Sequence, residues 1–520
     1  MISQNRFDRR RRRYDRVIQR FLGANATVAI VVLVLIALFL FKEGAGFFPQ
    51  NLENLRTYRL AGLEYVDLMR GQVDRHTVLN RSLQAIRTDE LTALLDKGVA
   101  LADANAQLAE FDAFSTRFSR GIAPVRAISS DLTDLVSGVK EKVIQRENEI
   151  ARERFLRAEG KNDEANAVVI PEIDFAAEVR PARETFPLYQ QAAIVFRREM
   201  GQLLETVPPV PGEKGRHRLE TFREGARAYL ASFPEVEHRL ETWDQFEPVP
   251  WYRSITSFLF GKAWITNSFW QDVYGVLPLV TGSLLIAVMA LVIAVPLGIG
   301  AAIYISEIAT LREQRLIKPL IEFISAIPSV VLGFFGIIVL GSALRAATHW
   351  PVFSWIDGFP ISERLNAFTA AALLALMAVP TIFSLAEDAL NSVPRHFKEA
   401  SYALGANRLQ TIVRVLLPTA LSGIISAVLL GFGRVIGETM VVLLCAGNRI
   451  AIPDFTKGIS TFFEPVHTMT GIVAQEMGEV VHGSIQYRAL FMVGLLLFAL
   501  ALVINWLAQA AVRRFRDNIS

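Results

Sequence analysis

Hydrophobic positions divide this chain into two kinds of sequence. Long apolar runs occupy residues 21–41, 275–303, 320–343, 367–390, 420–446 and 490–511. Each run approaches or exceeds the roughly 20 residues that a helix needs to cross a bilayer. The pattern therefore predicts an all-α membrane protein with six transmembrane helices, five of them in a core that covers residues 271–515.

The sequence between the first two runs, residues 42–250, is largely polar. Apolar side chains recur in it at helical spacing, as at Leu83, Ile86, Leu91 and Leu94. Such spacing indicates amphipathic helices that share a core. We therefore expect a mostly α-helical domain inserted between spans one and two. Its scattered histidines are expected at the surface: His76, His217 and His238.

Aromatic residues concentrate immediately before the second span. Trp251, Phe258, Phe260, Trp264 and Trp270 lie within twenty residues. Tryptophan is enriched at the headgroup level of membranes. Residues 251–270 are therefore predicted to form a helix that lies in the membrane interface. The alternative is that these rings pack into the core of the insertion.

Loop charges predict how the spans are oriented. The net charge of the chain is only +3, but basic residues cluster at four places: residues 9–13, 312–318, 395–414 and 513–516. With six spans, all four clusters fall on one side, which the positive-inside rule makes cytoplasmic. Both termini are then cytoplasmic and the insertion is extracytoplasmic. A nucleic-acid-binding arm is the alternative for the basic tail, residues 1–20.

Composition limits the chemistry that the chain can perform. Hydrophobic residues make up 52% of the sequence and charged residues 20%, which suits several spans joined to one polar domain. A single cysteine, Cys445, excludes an intrachain disulfide. The sequence contains no cysteine–histidine set at metal-ligand spacing and no Walker A motif. We therefore expect this chain to bind no metal and no cofactor.

Two ionisable residues lie deep within the fifth apolar run. Arg434 and Glu438 are four positions apart, so they are expected to share one face of a helix. A charge at the bilayer centre costs roughly 2.5–3.5 kcal/mol on insertion scales, which disfavours a lipid-facing position. This face is expected to look into a protein interior or a solute path. A self-neutralising pair that only fixes helix packing is the alternative.

A polar stretch before this run, residues 391–418, carries a second pattern, and we call this stretch the elbow. The residues that form this pattern are Glu399, Ala400, Ser401, Gly405, Ile412, Leu417 and Pro418. Gly405 permits a left-handed turn that a Cβ would oppose. The elbow resembles the coupling loop of ABC-importer permeases, in which two short cytoplasmic helices dock on the ATPase. An ordinary amphipathic loop between spans is the alternative.

Further motifs in the second half of the chain resemble one family. They occupy residues 275–284, 296–307, 327–336, 434–440, 446–448 and 483–491. Together they are similar to the inner-membrane permease of the phosphate-specific ABC importer. Gly437-Glu438-Thr439-Met440, followed by residues 446–448, resembles its C-type subunit. The resemblance covers residues 258–511, whereas the insertion departs from the compact family pattern.

This resemblance implies a type I ABC importer architecture and a transport permease, not an enzyme. It implies import of inorganic phosphate across the bacterial inner membrane by alternating access. The implied substrate pathway includes Arg434, Glu438 and Thr439. The implied ATPase-coupling residues are Glu399, Ala400, Gly405, Leu417 and Pro418.

The implied partners are a second, A-type permease, two ATPase subunits, an extracytoplasmic phosphate-binding protein and the lipid bilayer, with no nucleic acid. Two alternatives remain open from the sequence. One is a permease for another oxyanion, molybdate or sulfate. The other is a membrane-anchored sensor or scaffold that uses the helical insertion.

Overall fold

The computed structural model describes residues 2–266, 268, 270–350, 352, 359, 361 and 363–517. It is 79% helical, which confirms the expected all-α class. Six of the described helical segments are long and apolar enough to cross a membrane: Leu22–Leu60, Leu277–Ile308, Ser329–Ala347, Ala367–Asn391, Arg408–Ile436 and Ile485–Leu507. The chain is therefore a multi-pass membrane protein.

The chain folds into two compact units. One, the membrane unit, comprises Met1–Asn51, Tyr252–Thr266 and Asp272–Ser520. The other, the insertion unit, comprises Leu52–Trp251 and Asn267–Gln271. The insertion unit therefore begins about ten residues later than the sequence pattern indicated.

The regular elements described in the first half of the chain are all helices. Two helices open it: α1 (Ile2–Ala45) and α2 (Phe47–Leu60). The helices that follow are α3 (Leu63–Asp96), α4 (Leu101–Gln107), α5 (Ala109–Gly121), α6 (Ala123–Ala158), α7 (Asn162–Asn166), α8 (Phe175–Glu184), α9 (Phe186–Glu205), α10 (Glu213–Ala231) and α11 (Phe233–Glu241). These elements confirm the mostly α-helical insertion.

The second half contains a short hairpin and the remaining helices of the membrane unit. They are α12 (Tyr252–Phe260), β1 (Trp264–Ile265), β2 (Val273–Tyr274), α13 (Leu277–Ile303), α14 (Leu311–Ser325), α15 (Ser329–Phe335), α16 (Gly341–Ala347), α17 (Ala367–Asn391), α18 (Arg395–Ala403), α19 (Arg408–Thr411), α20 (Leu417–Ile436), α21 (Met440–Cys445), α22 (Met469–Glu476) and α23 (Ile485–Asp517). Wider, π-helical turns occur within three of the spans: Tyr304–Ile308, Gly336–Leu340 and Ile412–Leu416.

The aromatic stretch does not form the single helix predicted for residues 251–270. Helix α12 ends at Phe260, and β1 then pairs antiparallel with β2. The turn is possible because Gly261 and Gly275 bring their backbones into contact where a Cβ would not fit. Trp264 is only 4% exposed and packs edge-on against Tyr274, so its ring lies in the core of the membrane unit. Residues 267 and 269 lie outside the described residues.

Two spans have different limits from those predicted. The third span begins at Ser329, not at residue 320, because Pro328 disfavours a helical conformation of the residue before it. The preceding α14 is a separate amphipathic helix that starts at a Thr310–Glu313 capping box. The fifth span runs over Arg408–Ile436, not over residues 420–446, because its helix stops at a break: it ends at Ile436, and helical structure resumes only at Met440.

Helices α13, α17 and α20 form the centre of the membrane unit. A Cβ at Gly298 of α13 would lie 2.9 Å from Ile382 of α17, and one at Gly431 of α20 would lie 2.7 Å from the same side chain. Both distances are shorter than real Cβ contacts. The two glycines therefore let both neighbours pack closely against α17, as small residues do in membrane bundles.

A histidine expected at the surface lies instead in the core of the insertion unit. His76 of α3 is 0% exposed, and its ring stacks on Phe118 with centroids 4.5 Å apart. Both ring nitrogens lack a hydrogen-bond partner among the described residues. The expectation was wrong because position 76 continues the buried stripe of Met69 and Gln72 along α3. His217 and His238 are exposed, as predicted.

The buried histidine predicts an acid-sensitive insertion unit. Burial lowers the pKa of His76 to about 4, and nearby Arg126 adds to this lowering. An unfolded histidine has a pKa of about 6.5. The unfolded chain therefore binds the proton first, so stability is full above pH ~6.5 and falls as the pH drops towards ~4.

Replacing His76 with Phe keeps the ring and removes this titration. Between pH 7 and pH 5 the wild-type insertion should lose on the order of 2 kcal/mol more stability than His76→Phe. Hydrogen exchange of the α3 and α10 amides, measured for both proteins at pH 7 and at pH 5, tests this. Comparing the two proteins at the same pH removes the pH dependence of the intrinsic exchange rates. Equal pH dependence in both proteins would contradict the prediction.

Candidate functional site

The two ionisable residues of the fifth span lie on either side of a helix end. Arg434 occupies the last turn of α20, which stops at Ile436. The chain continues only as a turn through Gly437 and Glu438, whose amides donate to the carbonyls of Gly433 and Val435, and α21 begins at Met440. Glu438 is therefore not on the helix that carries Arg434, and the expectation of a shared helix face is wrong.

The carboxylate of Glu438 stabilises the start of the next helix. The Met440 amide donates a hydrogen bond to Glu438 Oε1 at 3.2 Å. The first amides of a helix have no partner within it, so an acceptor side chain there stabilises the helix start. The Glu438 side chain is partly exposed, and no described side chain forms an ion pair with it.

Arg434 is held by a neutral hydroxyl. Its Nη1 donates to Thr381 Oγ1 of α17 at 2.9 Å. The side chain is exposed in this single chain, and no ion pair joins Arg434 to Glu438 or to another described carboxylate. The self-neutralising pair is therefore not formed, and the remaining donors of the guanidinium are free of carboxylate partners.

A short buried helix between spans five and six packs against the break. Thr470 of α22 donates its hydroxyl hydrogen to the Glu438 carbonyl at 2.9 Å. Thr468 caps α22, and the Met469 amide donates to Ser283 Oγ of α13 at 3.0 Å. The sequence analysis did not find this helix, because residues 449–488 contain no apolar run long enough to be predicted as a span. The one available signal was a capping threonine before a short apolar run.

The same loop contains a buried histidine with a defined protonation pattern. The Thr468 amide donates to His467 Nδ1 at 2.9 Å, and Nε2 lies 3.1 Å from Gln475 Oε1. Nδ1 therefore accepts and Nε2 carries the proton. Burial lowers the pKa of His467, which favours this neutral form. His467 thus helps to hold the start of α22 without adding charge near Glu438.

The break combines the groups that an oxyanion site requires. Arg434 supplies a planar set of N–H donors, which match oxyanion geometry better than an ammonium does. Thr381 and Thr439 add hydroxyls, and Glu438 adds a proton acceptor. No group of acidic, histidine or cysteine residues suited to a metal occurs among the described residues. The arrangement suits binding of a protonated anion.

The elbow consists of two short helices joined by a left-handed glycine. Gly405 connects α18 to α19 with φ +82°, and no atom would lie within 4 Å of a Cβ placed there. Backbone conformation alone therefore requires glycine at this position. The hydroxyls of Ser401 and Thr411 meet at 2.9 Å and are buried, which braces the two helices against each other.

The predicted coupling residues fall into two groups. Glu399 and Ala400 are exposed on α18, whereas Leu417 and Pro418 form the first turn of α20. Proline fits that turn because its missing N–H would have no helical partner. Between the groups, large apolar side chains face outward: Leu404 is 89% exposed and Leu409 is 68% exposed. These two side chains place apolar surface on the outside of the elbow, next to its turn.

Comparison with known proteins identifies the family. Residues 294–517 match the model of the binding-protein-dependent transport system inner membrane component. The chain is 36% identical to the probable ABC transporter permease YqgH of Bacillus subtilis, over 45% of this chain and 72% of that protein. It is 32% identical to the phosphate transport system permease PstC of Mesorhizobium japonicum, over 49% of this chain and 79% of that protein. It is 30% identical to PstC of Haemophilus influenzae, over 50% of this chain and 83% of that protein.

The chain belongs to the PstC permease family. This confirms the resemblance drawn from the motifs, and with it the type I ABC importer permease architecture and a transport role without enzymatic activity of its own. The family match begins at residue 294, so the insertion unit lies outside it. The site residues and the elbow residues, in contrast, all lie within it.

The left-handed conformation of Gly405 yields a direct prediction. Gly405→Ala should destabilise the elbow by about 1–2 kcal/mol, because a Cβ opposes positive φ, whereas Gly405→Asn should cost less. Trypsin cleavage after the exposed Arg408 in the solubilised protein reports this loosening. We expect faster cleavage in the alanine variant than in the asparagine variant. Identical cleavage of Gly405→Ala and wild type would exclude a strained turn.

Proposed function

We propose that this chain is the permease subunit of an ATP-driven importer that moves inorganic phosphate across the inner membrane by alternating access. The observation that carries the proposal is the position of Arg434. Its guanidinium lies at the break of a transmembrane helix and has only a neutral threonine as a described side-chain partner. A cation placed in this way attracts an anion.

Phosphate fits this position better than other oxyanions. Near neutral pH phosphate retains a dissociable proton, which Glu438 can accept, whereas sulfate has no such proton and meets a repelling carboxylate. The Mesorhizobium and Haemophilus relatives are phosphate transport system permeases, which supports the same substrate. Molybdate and sulfate are therefore the competitors to test and not the proposed cargo.

The elbow is the proposed contact with the motor of the importer. The sequence lacks a Walker A motif, so hydrolysis belongs to a partner. Glu399, Ala400 and the turn at Gly405 would dock on one of two ATPase subunits, with the exposed Leu404 and Leu409 buried by that contact. A second, A-type permease would complete the pathway, and an external phosphate-binding protein would deliver the substrate.

The proposed orientation follows from the basic clusters. It places both termini and the elbow in the cytoplasm, and the insertion outside the membrane of a bacterial cell. The elbow must then share a side with the ATPase, which hydrolyses cytoplasmic ATP. The insertion must share a side with the binding protein.

Arg434→Ala tests the pathway assignment. We expect phosphate uptake by vesicles containing the reconstituted complex to fall about 100-fold or more, because the pathway loses the positive charge that pairs with the anion, and removing one partner of such a charge pair costs several kcal/mol. The complex should still assemble, since Arg434 makes only one described side-chain hydrogen bond. Arg449→Ala, at an exposed position in the loop after α21, is the matched control. Normal uptake by Arg434→Ala would refute the assignment.

Glu438→Gln tests selectivity separately from transport. The amide oxygen can still accept from the Met440 amide, so the helix start is kept while the charge is removed. We expect sulfate and molybdate to compete with phosphate uptake more strongly, by about tenfold, in this variant. Glu479→Gln, at an exposed position, is the control. Unchanged competition would show that Glu438 does not discriminate among anions.

A further inference from the structure

Two buried carboxylates lie where α13 and α17 approach the elbow. Glu307, at the end of the α13 span, is 7% exposed, and Glu387, in the last turns of α17, is 6% exposed. Neither residue belongs to the substrate pathway or to the predicted coupling set. A buried carboxylate is costly unless it is paired with a positive charge.

Each carboxylate is paired with a lysine from a different segment. Lys398 Nζ of α18 lies 2.5 Å from Glu307 Oε1, and Lys318 Nζ of α14 lies 3.0 Å from Glu387. The pairs cross: the lysine that follows α17 binds the end of α13, and the lysine that follows α13 binds the end of α17. The hydrogen bond to Glu387 raises the pKa of Lys318, so this lysine stays charged.

The turn that carries Glu307 is unusual and is held from two sides. It is the π-helical turn Tyr304–Ile308, closed by the Ala309 amide donating to the Tyr304 carbonyl at 2.7 Å. Gln314 of α14 donates to the carbonyls of Ile305 and Ala309. Single π-helical turns occur frequently at functional positions in helices. Lys398 therefore contacts α13 at a turn that other residues keep in place.

The connectivity of the chain makes the Lys398–Glu307 contact distinctive. Helices α17 and α20 continue into the elbow through the backbone, so they follow any movement of it. Helix α13 does not continue into the elbow and needs a link through side chains. Apolar packing can slide, whereas a short ion pair with one buried partner fixes a particular position.

We propose that the Lys398–Glu307 ion pair transmits movement of the elbow to α13, with Lys318–Glu387 as the reciprocal brace between α14 and α17. Lys398 and Glu307 are thus positioning residues that couple ATP hydrolysis to the opening of the pathway. This inference rests on the proposed function, because it assigns the elbow to the ATPase contact. The braced pair Ser401–Thr411 makes α18 move as one body with α19.

The test compares Lys398→Met, Lys398→Arg and the charge exchange Lys398→Glu with Glu307→Lys in the reconstituted complex. Three quantities are measured: co-purification with the ATPase, ATPase activity stimulated by phosphate-loaded binding protein, and phosphate imported per ATP hydrolysed. Arg312→Met, which removes one exposed positive charge from α14, is the matched control.

We expect Lys398→Met to assemble and hydrolyse ATP but to import at least about tenfold less phosphate per ATP. Lys398→Arg and the charge exchange should restore most of the phosphate imported per ATP, and Arg312→Met should match wild type. A merely structural pair would change assembly and hydrolysis together and leave the ratio intact.

Two results would overturn the inference. One is that Lys398→Met imports as much phosphate per ATP as wild type. The other is that the charge-exchanged complex assembles but imports as little phosphate per ATP as Lys398→Met. A wild-type complex that imports no phosphate would instead overturn the proposed function, so the two failures are distinguishable.

Discussion

At membrane depth every backbone amide and carbonyl must find a partner within the protein, and the whole site depends on how this chain meets that requirement. Helix α20 ends at Ile436, and helical structure resumes only at Met440. The Glu438 carboxylate accepts from the Met440 amide, and the Thr470 hydroxyl donates to the Glu438 carbonyl. Both of these backbone groups at the break therefore have hydrogen-bond partners within the protein. The break leaves Arg434 in the last turn of α20, where the helix dipole favours a positive charge.

Helix α20 also connects this break to the elbow. Its 20 residues, Leu417–Ile436, at about 1.5 Å each, span about 30 Å, which is the thickness of the hydrocarbon core. One end follows the braced elbow directly, and the other end carries Arg434. A displacement at the elbow therefore has a continuous helical route to the guanidinium. The Lys398–Glu307 pair adds a second route, through side chains, to α13.

Sequence reasoning succeeded where the chemistry is local and failed where the partner is distant. The turn at Gly405 was predictable because only the backbone of that residue demands glycine. The break after Ile436 was not, because apolar residues continue on both sides and a single glycine is common in spans. The burial of His76 depends on Phe118 from another helix. The contact of Ser283 with Met469 joins positions 186 residues apart, which no local pattern encodes.

The insertion unit shows the same dependence on distant polar contacts. Glu90 of α3 is 2% exposed and accepts from the Gly212 amide at 2.8 Å, next to the start of α10, where negative charge is favourable. A Cβ at Gly212 or Gly215 would collide with that carboxylate. Helical spacing could predict amphipathic helices but not this contact, which fixes how α10 packs on α3. Because the unit closes around its own core, it enlarges the chain without interrupting any motif on which the permease function depends.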